Sequence, residues 1–389
     1  MTTARTFIDV HLLQSVPPSC INRDDTGSPK TAVYGGVRRA RVSSQAWKRA
    51  TRTRFEDELD AADLGVRTKR VVELVAEQIE RRRGDLDEAT RVELARAVVA
   101  AAGLKLEKPR KGGIEESQFL VLVSRQQAAT LADLALRCLD EATDLAAGVA
   151  AVSAEKRAAK EALKQGSSID LALFGRMVAN DTDLNVDASC QVAHALSVHA
   201  ADPEFDYFTA VDDLQPTAED GEAANAGAGM IGTIEFTSAT LYRYATIDVE
   251  ELAHSLGDDA PTARRAIEAF LRAFTLSMPT GKVNTFANNT LPDGIVVAVR
   301  TDQPVSWVGA FEQPVVAGPQ GGYLVPAAGA LASWARSLDE AYGRPAARAW
   351  SVGVGPVADV LAQVGDRVGF ADLPAAVAGV ATEHLAVAP

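Results

Sequence analysis

The chain has 389 residues, 47% of them hydrophobic and 23% charged, the make-up of a soluble globular protein large enough for more than one substructure. No apolar run approaches the roughly 20 residues of a membrane span, so no membrane partner is expected. The formal net charge of −13 argues against a generally basic nucleic-acid coat, and gives any basic island in the chain more weight.

Asp9 and His11 interrupt the apolar start MTTARTFIDVHLL, so a signal peptide is not expected. Thr6 to Leu13 alternates loosely and is β-branched, which predicts a first, central strand. The stretch VPPSCINRDDTGSPKTAVYGG then reads as a long loop, and ordered loops of that length are usually functional. Its adjacent carboxylates, Asp24 and Asp25, are of a kind that can hold a divalent metal for hydrolysis. The plainer reading is a closed turn or a balance to Arg23, because no third acidic ligand lies nearby; no metal or cofactor is expected.

The stretch Gly35 to Phe55, GGVRRARVSSQAWKRATRTRF, is the most informative. Arg38, Arg39 and Arg41 sit among small and β-branched residues and suit a short strand. Ser43 and Ser44 supply a helix N-cap, and Gln45 to Phe55 reads as the helix. At 3.6 residues per turn Gln45, Lys48, Arg49 and Arg52 share one stripe, with Ala46, Trp47 and Ala50 opposite. From Arg23 to Arg54, nine Lys and Arg stand against two Asp, a local charge of +7 that leaves −20 for the rest of the chain. Charge runs are usually solvated faces. Here the cations are concentrated on an acidic chain, beside hydroxyls and a helix N-terminus, which favours a site for phosphates.

From about Asp57 to Gln165, Ala, Leu, Glu, Arg and Val recur at helical spacing, which predicts a helical insertion interrupted at KLEKPRKGGIEESQF. Near its end Lys156, Lys160 and Lys164 recur every four residues, with Arg157 beside them. This is either a solvated ridge, interspersed with Glu155 and Glu161, or a second nucleic-acid contact. Ser168 to Met177, SIDLALFGRM, reads as buried. Asp202 to Met230 reads as an extended arm with an aromatic cluster and a Gly/Ala-rich tip. Ile231 to Ala245 predicts a long strand or strand pair, and Glu250 to Ser277 two helical pieces split at Gly257 to Pro261. A polar loop with Lys282 and a buried strand, Gly294 to Arg300, follow. Helices are expected near Ala327–Tyr342 and Val357–Val364, with no chemistry. Cys20, Cys138 and Cys190 are odd in number and far apart, which suits reduced thiols in a cytoplasmic protein. Without insertion and arm, the order strand, helix, strands, helix, strand fits an α+β, ferredoxin-like or RNA-recognition sheet with helices on one face. Such sheets commonly present aromatic and basic groups to single-stranded RNA.

SCINRDD, GGVRRARVSSQAWKRA, DLALFGRM, DYFTAVDDL and FTSATLYRYA occur in this order and resemble the CasC family, the backbone subunit of the type I-E CRISPR Cascade complex. The resemblance runs from about Phe7 to Ala245; the remainder is placed by order. It implies a modified RNA-recognition palm (residues 1–56, 167–200 and 232–389), a helical finger insertion (57–166) and a thumb arm (201–231). It implies copies stacked head to tail along a guide RNA (crRNA), with other Cascade subunits, presenting the guide to target DNA. Carried over by position, Arg23, Arg38, Arg39, Arg41, Ser43, Gln45, Lys48, Arg49 and Arg52 hold guide phosphates and sugars. Arg176 and Met177 sit at a kink beside a displaced base, Ile231 wedges from the neighbouring copy, and Lys282 lies on the palm. Lys156, Arg157, Lys160 and Lys164 match a target-DNA contact. The arm's tip is longer than the family pattern. The resemblance implies a scaffold and not an enzyme. The alternative is a type III-like backbone subunit that cleaves RNA with a metal at Asp24 or Asp25.

Overall fold

A computed structural model of the chain describes residues 5–178, 181–210 and 230–387. The first strand, β1 (Phe7–Ser19), runs on past its expected end at Leu13. Pro17 and Pro18 lie at a register shift between Val16 and Ser19, and an irregularity of this kind tolerates residues that have no N–H to donate. A hairpin of β2 (Thr31–Tyr34) and β3 (Val37–Val42) follows, then α1 (Ser44–Arg54). Gly35 turns the hairpin at φ +58, and a Cβ there would collide with the backbone carbonyl of Glu312. Ser43 caps α1 as expected, its Oγ accepting from the Ala46 N–H at 3.2 Å.

The insertion contains β4 (Gly65–Thr68), α2 (Val71–Arg82), α3 (Glu88–Ala101), β5 (Leu106–Glu107), β6 (Glu116–Ser117), β7 (Val121–Ser124), α4 (Arg125–Asp140), α5 (Leu145–Ala154) and α6 (Lys156–Lys164). β4 pairs with β7 and β5 with β6, both antiparallel. The helices close over an apolar centre of their own, including Val75, Ile79, Leu94, Val98, Leu131 and Leu163. That centre extends to Val178 and Leu184, past the expected boundary at residue 166.

Next come α7 (Ile169–Phe174), β8 (Cys190–Val192), β9 (Ala195–Ser197), β10 (Glu204–Ala210) and β11 (Met230–Asp248). β11 is one long strand. Its first residues pair with β10 as a hairpin, and the rest pair with β1, β8 and β9. The expected arm is thus rooted in the β10–β11 hairpin; its tip, 211–229, lies outside the described residues. The chain then runs through α8 (Val249–Ser255), α9 (Ala260–Leu276), α10 (Val283–Phe286), β12 (Gly294–Arg300), α11 (Leu324–Tyr342), β13 (Arg348–Gly353), α12 (Pro356–Leu361), β14 (Asp366–Arg367) and α13 (Leu373–Ala381). Among the described residues the main sheet has ten strands. Its order is β14-β13-β12-β1-β11-β9-β3-β2, with β8 and β10 also on β11.

Alternation along β1 separates the two faces of this sheet. Ile8, Val10 and Leu12 pack with Trp47 of α1, Phe270 and Phe274 of α9 and Val377 of α13. Leu13 faces the other way, toward Tyr242, Trp307 and Leu331 of α11. Helices were expected on one face only, but both are covered. The second cover is held by buried polar groups. His11 stacks on Trp307 with centroids 3.7 Å apart. Tyr242 Oη accepts from the Trp307 N–H at 3.0 Å. Asp9 accepts from the Val305 N–H and from Tyr244 Oη–H, each at 2.8 Å. Burial pushes the Asp9 carboxyl up to about 6. The C-terminal region therefore covers the second face of the sheet.

Candidate nucleic-acid interface

Three segments meet beside α1. The first is the loop after β1, which is folded on itself. Asp24 Oδ1 accepts from the Thr26 N–H, the Thr26 hydroxyl and the Ser28 N–H at 2.7–3.0 Å, an Asx turn that holds the carboxyl below its usual range. Asn22 Oδ1 accepts from the Ser43 N–H at 2.8 Å and ties this loop to the start of α1. The second segment is α1 itself. The third is 276–282, where Gly281 lies so near the carbonyls of Cys20 and Ile21 that a Cβ would stand 2.5–2.6 Å from their oxygens. Together they enclose a groove of about 1130 Å³.

Arg23, Lys30, Ser43, Gln45, Arg49 and Lys282 line that groove, and among the described residues none of its lining is aromatic. Among the described residues, the side chains of Arg23, Lys30, Arg49 and Lys282 have no hydrogen-bond or ion-pair partner in the chain. Lys282 is held at φ +47, an uncommon backbone for a residue with a Cβ. Arg54, also in the lining, is neutralised by Asp57 and Glu58 at 3.4 and 3.7 Å. Among the described residues the groove thus sets four unpaired cations, with amides and hydroxyls, against the carboxylates of Asp24, Asp25 and Asp57, and offers no ring on which a base could stack.

The helical stripe divides differently from its expected split. Trp47 is fully buried, its ring 3.7 Å from the guanidinium of Arg243, and this fixes the rotation of α1. Ala46 and Ala50 consequently line the groove with Gln45 and Arg49. Lys48 turns instead toward α7, its ammonium 5.6 Å from the Phe174 ring. Arg52 donates to Asp170 at 2.7 Å and to the Gly65 carbonyl at 3.2 Å. Arg41 donates to the Thr31 carbonyl at 3.1 Å and reaches His194, which also accepts from the Ser44 N–H. Arg38 is exposed, 3.7 Å from Asp202.

Two of the expected contact residues are buried. Arg39 is fully buried and donates to the carbonyls of Tyr34, Ser197, Phe311 and Glu312. Arg176 is also buried and donates to the carbonyls of Leu184, Leu122 and Leu163 and to Gln127; desolvation pushes it down to about 10. Both side chains are internal ties with no guanidinium face left for a phosphate. Beside Arg176, Met177 is 81% exposed. Gly175 at φ +73 makes that turn, since a Cβ would stand 2.7 Å from the Val186 carbonyl. In Gly-Arg-Met, then, the glycine bends, the arginine anchors and the methionine projects. Ile231 pairs with Thr209 through its backbone, and its side chain lies outside the described residues.

On α6, Lys156, Arg157 and Lys164 are exposed, while Lys160 pairs with Asp181 at 2.6 Å and Asp183 at 3.5 Å. Lys30 is a groove residue that sequence reasoning counted in the charge island without selecting. Its position between Pro29 and a strand was the available signal.

A family model described as CT1975-like protein matches residues 8–373. The chain belongs to the CT1975-like family. Two solved structures similar to this family member are chains of CRISPR RNA-guided surveillance complexes. One, titled "CRISPR RNA-guided surveillance complex, pre-nicking", is 35% identical with a TM-score of 0.79, and the match covers 96% of this chain and 100% of that one. The other, "CRISPR RNA-guided surveillance complex", is 32% identical with a TM-score of 0.69, over 98% of this chain and 100% of that one. Among curated proteins, none matches this CT1975-like chain. The resemblance to the CasC family of Cascade backbone subunits is borne out.

Proposed function

We propose that this protein is a backbone subunit of a type I-E CRISPR antiviral surveillance complex, in which several copies bind one guide RNA through its backbone. The observation that carries this is the groove beside α1, where Arg23, Lys30, Arg49 and Lys282 converge without a partner among the described residues. Cations and an amide on rigid elements suit phosphates and sugars, and a lining without aromatic residues suits a protein that must accept any guide sequence. Met177, projecting at a glycine-made turn, suits an apolar wedge beside a displaced base. The rooted β10–β11 hairpin carries exposed Phe205 and Tyr207, and a two-stranded ribbon of this kind is stabilised by docking on another surface. A neighbouring copy in a head-to-tail filament supplies one, since a heterologous contact that does not close propagates. The two similar structures belong to RNA-guided complexes, which supports crRNA and other subunits as partners.

The test is affinity for guide RNAs with unrelated spacer sequences. These should agree within about threefold, because phosphate contacts carry no sequence information; a strong spacer preference contradicts backbone reading. The protein is a scaffold without cleavage activity in this account. Asp24 is occupied in closing its loop, so guide or target RNA incubated with Mg²⁺ stays intact, and metal-dependent cleavage that Asp24→Ala abolishes would instead establish the type III-like alternative. Target DNA meets the α6 ridge. Replacing Lys156, Arg157 and Lys164 by Ala should weaken DNA binding by the loaded complex roughly tenfold and flatten its salt dependence. Lys160→Ala should change it little, because Asp181 and Asp183 already neutralise that ammonium.

A further inference from the structure

α1 has a cavity on each side. The second, of about 520 Å³, lies where α1 meets the helical insertion, and Arg49, Arg52, Gly65, Arg67, Arg125 and Asp170 are among its lining. Arg49 and Thr53 line both this cavity and the groove, so the two spaces meet along α1, with Arg49 the cation they share. Four guanidinium groups converge here from α1, β4 and the first residue of α4. The β4–β7 ladder brings the last two together: Gly65 pairs with Ser124 and Arg67 with Leu122, and Arg125 follows at the ladder's end.

Asp170 offsets one of the four charges by pairing with Arg52, and Glu56 is the other acid among the described lining residues, so the cavity keeps a net positive charge. Asp170 is buried and fully engaged, accepting from Arg52 Nε at 2.7 Å, the Gly65 N–H at 2.8 Å and the Ser168 hydroxyl at 2.7 Å. Glu56 is exposed and has no ion pair among the described residues. Arg125 Nε donates to the Ala61 carbonyl at 3.1 Å. Its terminal nitrogens, and the whole guanidiniums of Arg49 and Arg67, have no partner among the described residues. Like charges gathered in a concave space repel one another and focus a positive potential that an anion relieves. The planar guanidinium fork matches the oxygens of a phosphate.

The geometry points to a second phosphate-binding site, in which Arg49, Arg67 and Arg125 hold backbone phosphates of the same RNA strand that occupies the groove. This rests on the guide-RNA role proposed for the groove. The shared Arg49 makes that strand the occupant, since it passes from one space to the other without leaving the protein's cations. The site joins the finger insertion to RNA binding through two of its arginines, Arg67 and Arg125.

The test is binding of single-stranded guide RNA by the full chain over a salt series. Arg67→Ala is the cleanest variant, because that side chain makes no bond within the described residues and its loss should leave the melting temperature unchanged. Arg67→Ala should weaken binding about fivefold, and Arg67→Ala with Arg125→Ala about twentyfold. The slope of log affinity against log salt should flatten by about 0.7 for each arginine removed. Arg67→Lys should retain the slope and lose part of the affinity. Wild-type affinity and slope in Arg67→Ala, with groove variants impaired, would overturn this inference alone. Wild-type binding by the groove variants too would overturn the guide-RNA role as well. If Arg67→Ala spares guide RNA and weakens only target-DNA binding by the loaded complex, the cavity belongs to DNA and the inference fails.

Discussion

Replacing Arg23, Arg49 and Lys282 together by Ala should lower affinity for guide RNA on the order of a hundredfold near physiological salt. Each side chain contributes roughly 1 kcal/mol as a charge-assisted hydrogen bond to phosphate. The log–log salt slope should flatten by about 2, at ~0.7 for each single-strand phosphate that is no longer neutralised. Melting should stay near wild type, because none of the three side chains has a partner among the described residues, and substitutions at such positions usually move stability by under about 0.5 kcal/mol each. Filter binding and a thermal melt on the same preparation check both halves. Retained affinity would show that the strand runs elsewhere. Weakened binding together with a failure to fold would show that the groove cations are structural.

Arg39→Ala should do the opposite. Its guanidinium ties β3 to the β2 turn, to β9 and to residues 311–312 of the second cover. Truncation leaves several buried carbonyls without a donor and opens a void beside them, a loss of about 3–5 kcal/mol. For a chain of this size that corresponds to a melting point lower by roughly 4–6 °C. Measured at a temperature where the variant remains folded, its RNA affinity should match wild type. If Arg39→Ala melts normally and fails to bind RNA, its assignment as an internal tie is wrong. The neighbouring Arg38→Ala serves as the exposed control, with little expected change in melting.

This pair shows where the sequence was legible and where it was not. The Ser43 cap, the helix after it, the hairpin glycines and the split of α8 from α9 at residues 256–259 follow from local chemistry, and local chemistry is written in adjacent residues. The positive island was legible as well, because it is a sum over neighbours. Which of its cations face solvent was not. Arg38 and Arg39 must point to opposite sides of β3, yet the acceptors that bury Arg39 include the Phe311 carbonyl, 272 positions later. Lys160 reads as one more ridge cation until the fold brings Asp181 and Asp183 to it. The third wall of the groove, near Gly281, and the second cover of the sheet are likewise products of distant segments. MPTGK carries no periodic signal, and the helices of the second cover were legible as helices but not as the cover of that face.

Co-expression with a repeat-derived guide RNA and the other subunits of the complex, followed by purification and native mass measurement, tests the central claim most directly. The account predicts a large assembly holding several copies of this chain on one intact guide RNA. A chain that purifies as a monomer without RNA, or that degrades its RNA when a divalent metal is supplied, would contradict it.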